Sequence, residues 1–258
     1  MAKTHLDSVL VLGAGKIGTT VADMLAQHYP RLRVTLADQL PAPADACDHQ
    51  VHRIVLDASR TDQLGETLSA HDAAINCLPF FMAQPVAAMA ATCGTHYFDL
   101  TEDVAATQAI RQMAANASAV LMPQCGLAPG VIGMLGWDLA GRFDTLYDLR
   151  LRVGALTRHA TNSLRYNFTW SIDGVINEYC NPADAIVNGE RVKVQPLEGH
   201  ETFTLDAEAF EAFNTAGGLG TLCESLQGRV RNLDYKSIRY PGHREAMNFL
   251  LHDLRLVE

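Results

Sequence analysis

Gly13-Ala14-Gly15-Lys16-Ile17-Gly18 follows directly on the apolar run Ser8 to Leu12. A Gly-x-Gly-x-x-Gly spacing alone is a weak signal, because loops are full of glycine. In this setting each glycine has a task. Gly13 lets a strand turn tightly, Gly15 lets the backbone approach a pyrophosphate, and Gly18 lets a helix pack on the sheet. Lys16 and Ile17 stand between the second and third glycines, leading into that helix, whose N-terminus faces the phosphates. Asp38 ends the second apolar run, 20 positions beyond Gly18, where a carboxylate accepts hydrogen bonds from both ribose hydroxyls. The chemistry implied is that of a dinucleotide cradle. A 2′-phosphate would sit against Asp38, and Gln39, Leu40 and Pro41 offer no arginine to neutralise it, so NAD is expected in preference to NADP. Asp57 either reaches the adenine side of the cleft or serves as a turn carboxylate. Pro79, after Leu78, either stiffens the loop beside the nicotinamide ribose or simply ends a strand.

These groups need a scaffold. Strand-length apolar runs at Ser8–Leu12, Arg33–Asp38, Val51–Leu56, Ala73–Cys77, His96–Leu100 and Ala119–Met122 alternate with helical patterns at Thr19–His28, Asp62–Ser69, Gln84–Cys93 and Val104–Asn116. Repeated β-α-β units with uniformly apolar strands imply a doubly wound α/β domain, a parallel sheet covered on both faces in the Rossmann manner. The pattern changes after Pro129-Gly130. Leu146–Val153, Tyr166–Trp170, Arg191–Gln195 and Asn232–Tyr240 alternate like strands of a half-exposed antiparallel sheet, with a helix over Ile172–Tyr179. The expected division is a dinucleotide-binding domain over 1–125 and an α+β substrate or dimerisation domain over 126–258. Gly126-Leu127-Ala128-Pro129-Gly130 either presents backbone N–H groups to an anion at the interdomain cleft or is a hinge.

Composition narrows the function classes. Apolar residues make up 48% of 258, enough for a sizeable core. A net charge of -9 repels phosphate backbones, which argues against nucleic acid. The apolar runs fall short of the about 20 residues that a membrane-spanning helix needs. Met1 to His5 leads straight into a strand pattern without a secretory apolar stretch, so a cytoplasmic protein is expected. Cys47, Cys77, Cys93, Cys125, Cys180 and Cys223 form no closely spaced pairs, so neither a disulfide framework nor a metal site is expected. Most are read as buried small hydrophobes.

Segments spread along the chain resemble the saccharopine dehydrogenase family. Val9–Gly18, Asn76-Cys77-Leu78-Pro79-Phe80, His96-Tyr97-Phe98-Asp99-Leu100 and Gly126–Gly130 carry the resemblance in the first part. Leu164–Ser171, Ala212–Gly218 and Asp234–His243 carry it in the second, the last two being similar to the lysine 6-dehydrogenase members. Gly154-Ala155-Leu156-Thr157 stands where the saccharopine enzymes have a Gly-Gly-Leu-Pro turn. The resemblance implies an NAD-dependent oxidoreductase on the CH–NH group of an amino acid, forming a semialdehyde from lysine. Its rivals are a saccharopine dehydrogenase that makes or cleaves a secondary amine, and a non-catalytic NAD-binding sensor or scaffold. It also implies a homodimer formed through the second domain, and a C-terminal segment beyond Leu256-Val257-Glu258 that returns to the first. Amine oxidation requires a base, because a free lysine ammonium has a pKa of about 10.4. Asp99, Glu102, Cys125 and His243 are the candidates, with Asp99 assisted by His243 preferred. Asp99 is otherwise a turn-capping aspartate, and His243 otherwise a structural histidine. An α-carboxylate calls for a bidentate arginine, for which Arg239 and Arg165, each beside a tyrosine on a predicted strand, are the choices. Asn214 and Thr215, before Gly217-Gly218, are candidates to bond the amino group.

Overall fold

The computed structural model describes residues 6–41, 50–168 and 170–256. It divides into two compact units, Met1–Cys125 and Gly126–Glu258.

In the first unit β1 (Ser8–Leu12) is buried throughout, because alternate residues feed two separate cores. Val9 and Val11 pack with Ala22 and Ala26 of α1 (Lys16–His28). Leu10 and Leu12 pack on the other face with Leu64 and Leu68 of α2 (Thr61–Ser69), Val86 and Ala90 of α3 (Ala83–Cys93) and Ile110 of α4 (Val104–Ala114). A strand buried on both faces reads as a continuous apolar run, and this one does. With β2 (Arg33–Asp38), β3 (Val51–Val55), β4 (Ala73–Asn76), β5 (His96–Asp99) and β6 (Leu121–Met122), the sheet has the order β3-β2-β1-β4-β5-β6 and every pairing is parallel. The strand order reverses between β1 and β4. In such sheets a dinucleotide lies across that point, outside the carboxyl ends of the strands.

The second unit contains α5 (Val131–Ala140), β7 (Leu146–Val153), α6 (Ile172–Cys180), β8 (Ala183–Val187), β9 (Glu190–Val194), β10 (Glu201–Leu205), β11 (Glu208–Asn214), α7 (Leu222–Leu226), β12 (Val230–Arg239) and α8 (His243–Asn248). Its sheet runs β10-β11-β12-β8-β9, with β7 also on β12.

Two expectations are corrected in this unit. β7 pairs with β12 in parallel, Leu149 beside Leu233, since the long connection between them supplies the crossover that parallel strands need. Tyr166, Asn167, Phe168 and Trp170 form no strand, Thr169 lying outside the described residues. Their alternation comes from Tyr166 lying under the Arg239 guanidinium while Phe168 and Trp170 pack against the apolar cluster of Val175, Tyr179 and Phe213. The hairpin strands β8, β10 and β11 are additions.

The cysteines also depart from expectation. Among the described residues only Cys223 is buried, Cys125 and Cys180 are exposed, and all are free thiols. Cys47 lies outside the described residues, as do Met1 to His5, Val257 and Glu258. Among the described residues no helix is long and apolar enough to cross a membrane.

Candidate functional site

The loop after β1 is built around its three glycines. Gly13 has φ +95°, and its N–H donates to the Ala37 carbonyl at 2.8 Å. A Cβ on Gly18 would overlap the Gly13 carbonyl oxygen, so only glycine lets α1 seat on the strand. At Gly15 a Cβ would meet nothing within 4 Å. Gly15 is the N-cap of α1, no side chain caps it and no acidic residue lies in the first turn. The N–H groups at Lys16 and Ile17 therefore lack a side-chain acceptor, and open space lies beside the backbone at Gly15. Those features fit a pyrophosphate. Asp38 ends β2, where Oδ2 accepts from Ala14 N–H at 2.7 Å and Oδ1 from Leu40 N–H at 2.9 Å. Two backbone bonds fix the carboxylate at the rim, and each oxygen keeps a lone pair for a ribose hydroxyl. Asp57 is an exposed turn residue, whose Oδ1 accepts from both the hydroxyl and the N–H of Ser59. Those bonds hold its pKa below the usual carboxylate range. Leu78 and Pro79 follow β4, and Pro79 precedes a short turn over Phe80–Met82.

Asp99 ends β5 and is 1% exposed. Its Oδ1 accepts from Thr101 N–H (3.0 Å) and Gln124 N–H (3.1 Å), and its Oδ2 from the Tyr97 hydroxyl (2.8 Å). Tyr97 Oη in turn accepts from Asn76 Nδ2 (3.1 Å), and Asn76 Oδ1 accepts from Leu78 N–H (3.1 Å). Burial raises the Asp99 pKa, and the bonds from Thr101, Tyr97 and Gln124 oppose that rise. Glu102 is also buried, its Oε1 has no hydrogen-bond partner, and burial pushes its pKa up to about 6. Cys125 is exposed, with Sγ bonded to the Met122 carbonyl at 3.3 Å.

In the second unit the directions of the hydrogen bonds can be read from their ends. Arg239, 4% exposed at the end of β12, donates from Nε to Tyr179 Oη (2.9 Å) and from Nη1 to the Ile238 carbonyl (2.9 Å). Tyr179 Oη lies 3.0 Å from His243 Nε2, and His243 Nδ1 lies 2.9 Å from the Leu164 carbonyl. A carbonyl only accepts, so Nδ1 carries the proton and Nε2 accepts from the Tyr179 hydroxyl. Burial lowers the His243 pKa to about 4, which keeps the ring neutral. Both its nitrogens are engaged within the protein. The Arg239 guanidinium lies 4.5 Å over the Tyr166 ring, and the Arg165 guanidinium 4.4 Å over the Tyr240 ring. Two Arg-Tyr dipeptides thus stack crosswise on each other. Among the described residues no carboxylate lies within ion-pair distance of either arginine.

Arg165 occupies a turn with φ +50°, not the strand expected for it. Asn214 Nδ2 bonds the Gln195 carbonyl, and Thr215 Oγ1 bonds Ser237 Oγ, both pairs inside the protein. Sequence reasoning did not single out Asn76, Tyr97, Tyr166 or Tyr179 as site residues. The tyrosine beside each arginine was the available signal for Tyr166. Among the described residues no group of three or more His, Cys, Asp or Glu side chains could hold a metal ion.

A family model described as the saccharopine dehydrogenase NADP binding domain matches residues 9–122, and one described as the saccharopine dehydrogenase C-terminal domain matches residues 126–257. The mitochondrial alpha-aminoadipic semialdehyde synthase of Mus musculus is 22% identical over 265 residues, which is 93% of this chain and 27% of that protein. The NADP(+)-dependent, L-glutamate-forming saccharopine dehydrogenase of Schizosaccharomyces pombe is 22% identical over 76% of this chain and 46% of its own length. The chain therefore spans between a quarter and a half of these curated relatives. Among solved structures, apo saccharopine dehydrogenase (L-Glu forming) from Saccharomyces cerevisiae has a TM-score of 0.75 at 23% identity, covering 95% of this chain and 57% of that one. That likeness establishes the fold.

Proposed function

Since the chain belongs to the saccharopine dehydrogenase family, we propose that it is a pyridine-nucleotide-dependent oxidoreductase that cleaves or forms the C–N bond of an amino acid carrying a secondary amine and more than one carboxylate. The nicotinamide, when bound, would take the hydride from the carbon that bears the nitrogen. Loss of that hydride leaves an iminium, and attack by water followed by C–N cleavage gives a carbonyl and a primary amine, with one proton released. The first unit serves the cofactor through Gly13, Gly15, Lys16, Ile17, Gly18 and Asp38. The second serves the substrate through guanidinium groups.

The observation that carries this reading is the pair of crosswise arginines. A guanidinium stacked on a tyrosine and outside ion-pair distance of the described carboxylates can take a bidentate carboxylate ligand. Two such groups, Arg239 and Arg165, suit a substrate with at least two carboxylates. Lysine, with one, would leave a guanidinium unused, so the saccharopine-type reading is preferred to lysine 6-deamination. Asp38 favours NAD, although the matching family model is named for NADP. No lysine or arginine lies between Asp38 and His52 to receive a 2′-phosphate.

The test is absorbance of the reduced nicotinamide with NAD or NADP and a panel of amines. Turnover with saccharopine and none with lysine is expected. Turnover with lysine alone would replace this reading by oxidative deamination. Cofactor binding without turnover of any amine would leave a non-catalytic nucleotide-binding protein.

A further inference from the structure

We propose that Asp99 is a positioning residue that ties together the three loops at the nicotinamide end of the sheet, and that it does not take the substrate's proton. This deepens the functional reading above and rests on it for the chemistry alone. β4, β5 and β6 are neighbours on one side of the switch point, and the loops after them underlie the second half of a bound dinucleotide. One carboxylate reaches all three. Thr101 N–H belongs to the loop after β5 and Gln124 N–H to the segment after β6, and both end on Asp99 Oδ1. Leu78 N–H belongs to the loop after β4 and connects through Asn76 and Tyr97 Oη to Asp99 Oδ2. The backbone of Asp99 adds a fourth tie, its carbonyl accepting from Cys125 N–H at 2.7 Å. Gln124, between those two anchored N–H groups, sits at φ +67°, a conformation a non-glycine residue holds only where its surroundings impose it. The carboxylate that imposes it is buried and receives three protein donors. Three of its four lone-pair positions are taken, and the one left, on Oδ2, belongs to a residue only 1% exposed, so a substrate proton has no open path to it.

An asparagine can replace this carboxylate without breaking the ties. Oδ1 would keep Thr101 and Gln124. Nδ2 would donate to Tyr97 Oη, and the tyrosine would turn its own proton to the Ala83 carbonyl, already 3.1 Å away. An asparagine cannot act as a base, so Asp99→Asn separates the two roles.

The experiment reads amide hydrogen exchange at Leu78, Thr101 and Gln124, the affinities for NADH and for ADP-ribose, and steady-state turnover. Asp99→Asn is expected to keep the exchange protection and to hold kcat/KM within about tenfold of the parent. A general base contributes about 10²–10⁴, so a loss beyond about 10² with protection intact would overturn the proposal. Asp99→Ala is expected to speed exchange more than tenfold at all three amides together. It should also weaken NADH about tenfold while ADP-ribose binds as before. Equal loss of both ligands, or exchange that changes at only one amide, would equally overturn it. Should Asp99→Ala fail to fold, Tyr97→Phe is expected to free Leu78 alone and to spare Thr101 and Gln124, and protection retained at Leu78 would sink the relay. Exchange and binding need no turnover. If no amine is oxidised by the parent, the functional reading fails while the clamp is still decided.

Discussion

Glu102 is a buried carboxylate with an unpartnered oxygen, and its pKa lies at about 6 against an ordinary 4.5. A folded pKa above the unfolded one means that its favourable contribution is complete below pH 4.5 and disappears as the pH rises through 6. At neutral pH the native state holds the charge in an unfavourable place, at a cost of about 2 kcal/mol. Glu102→Gln is expected to raise the unfolding free energy at pH 7.5 by roughly that amount, seen as a higher urea midpoint, and to leave the midpoint unchanged at pH 4, where acid and amide are near isosteres. Equal midpoints at pH 7.5 would refute the buried-charge account. Arg239→Lys keeps the charge and loses the fork, so kcat/KM for a polycarboxylate amine should fall. Arg239→Ala should lower it by about 2–5 kcal/mol equivalent, with NADH affinity unchanged as read by fluorescence titration. The glycine turn, Asp38 at the end of β2 and Arg239 at the end of β12 were legible as places in the fold because each follows from spacing along the chain. The partners of Asp99 and His243 were not, since a hydrogen-bonded node and a reactive group use the same residue types. Burial together with the bonds already formed separates them.

The turn from β1 into α1 offers a paired test at the level of elements. Gly15→Ala points into open space, so the fold should melt within about 1 kcal/mol of the parent, the ordinary scale for a glycine exchange in an unstrained position. Its methyl would occupy the place of a pyrophosphate, and NADH should no longer raise the melting temperature. Gly18→Ala should do the reverse in order, loosening α1 from β1 by several kcal/mol through overlap with the Gly13 carbonyl before binding is considered. Identical melting curves for the two variants would mean that the three glycines have no division of labour. The first unit was legible because both-face burial writes uninterrupted apolar runs, and its element ends moved by only a few residues. The second unit was less so. The β8–β9 hairpin carries an Asn188-Gly189 turn at φ +51° and +86°, a dipeptide that does mark such a turn in sequence. The β10–β11 hairpin turns at Asp206-Ala207, φ +50° and +63°, without any glycine to announce it. Strand direction is invisible to periodicity, and the parallel pairing of β7 with β12 depends on contacts between residues far apart in sequence.

For the molecule as a whole, the largest shifts in the two units that bear on acid stability have opposite signs. In the first, Glu102 and Asp99 have pKa values raised by burial, so lowering the pH relieves them, while half-buried His71 and the turn carboxylate Asp57, both lowered, oppose this in part. In the second, the His243 pKa is depressed from 6.5 to about 4. Its contribution is intact above pH 6.5 and is lost between pH 6.5 and 4, because the unfolded chain takes up a proton that the native ring refuses. The loss approaches about 3 kcal/mol for this 2%-exposed ring. Glu201 continues the trend lower down. Partial burial raises its pKa, but hydrogen bonds from Arg152 and Lys236 outweigh that and hold it at about 2, so its stabilising effect fades below pH 4.5. Acid should therefore weaken the second unit more than the first. The chain provides its own reporter, because both of its tryptophans, Trp137 and Trp170, lie in the second unit. Tryptophan emission follows that unit alone, whereas far-ultraviolet circular dichroism follows both. In thermal melts at pH 4.5 the emission transition should precede the dichroism transition, and between pH 7.5 and 4.5 the emission midpoint should fall further than the dichroism midpoint. His243→Gln, unable to titrate, should narrow that separation even though it lowers the emission midpoint at pH 7.5. Transitions that coincide at every pH would mean that the units unfold as one and that these opposing ionisations cancel within a single cooperative transition.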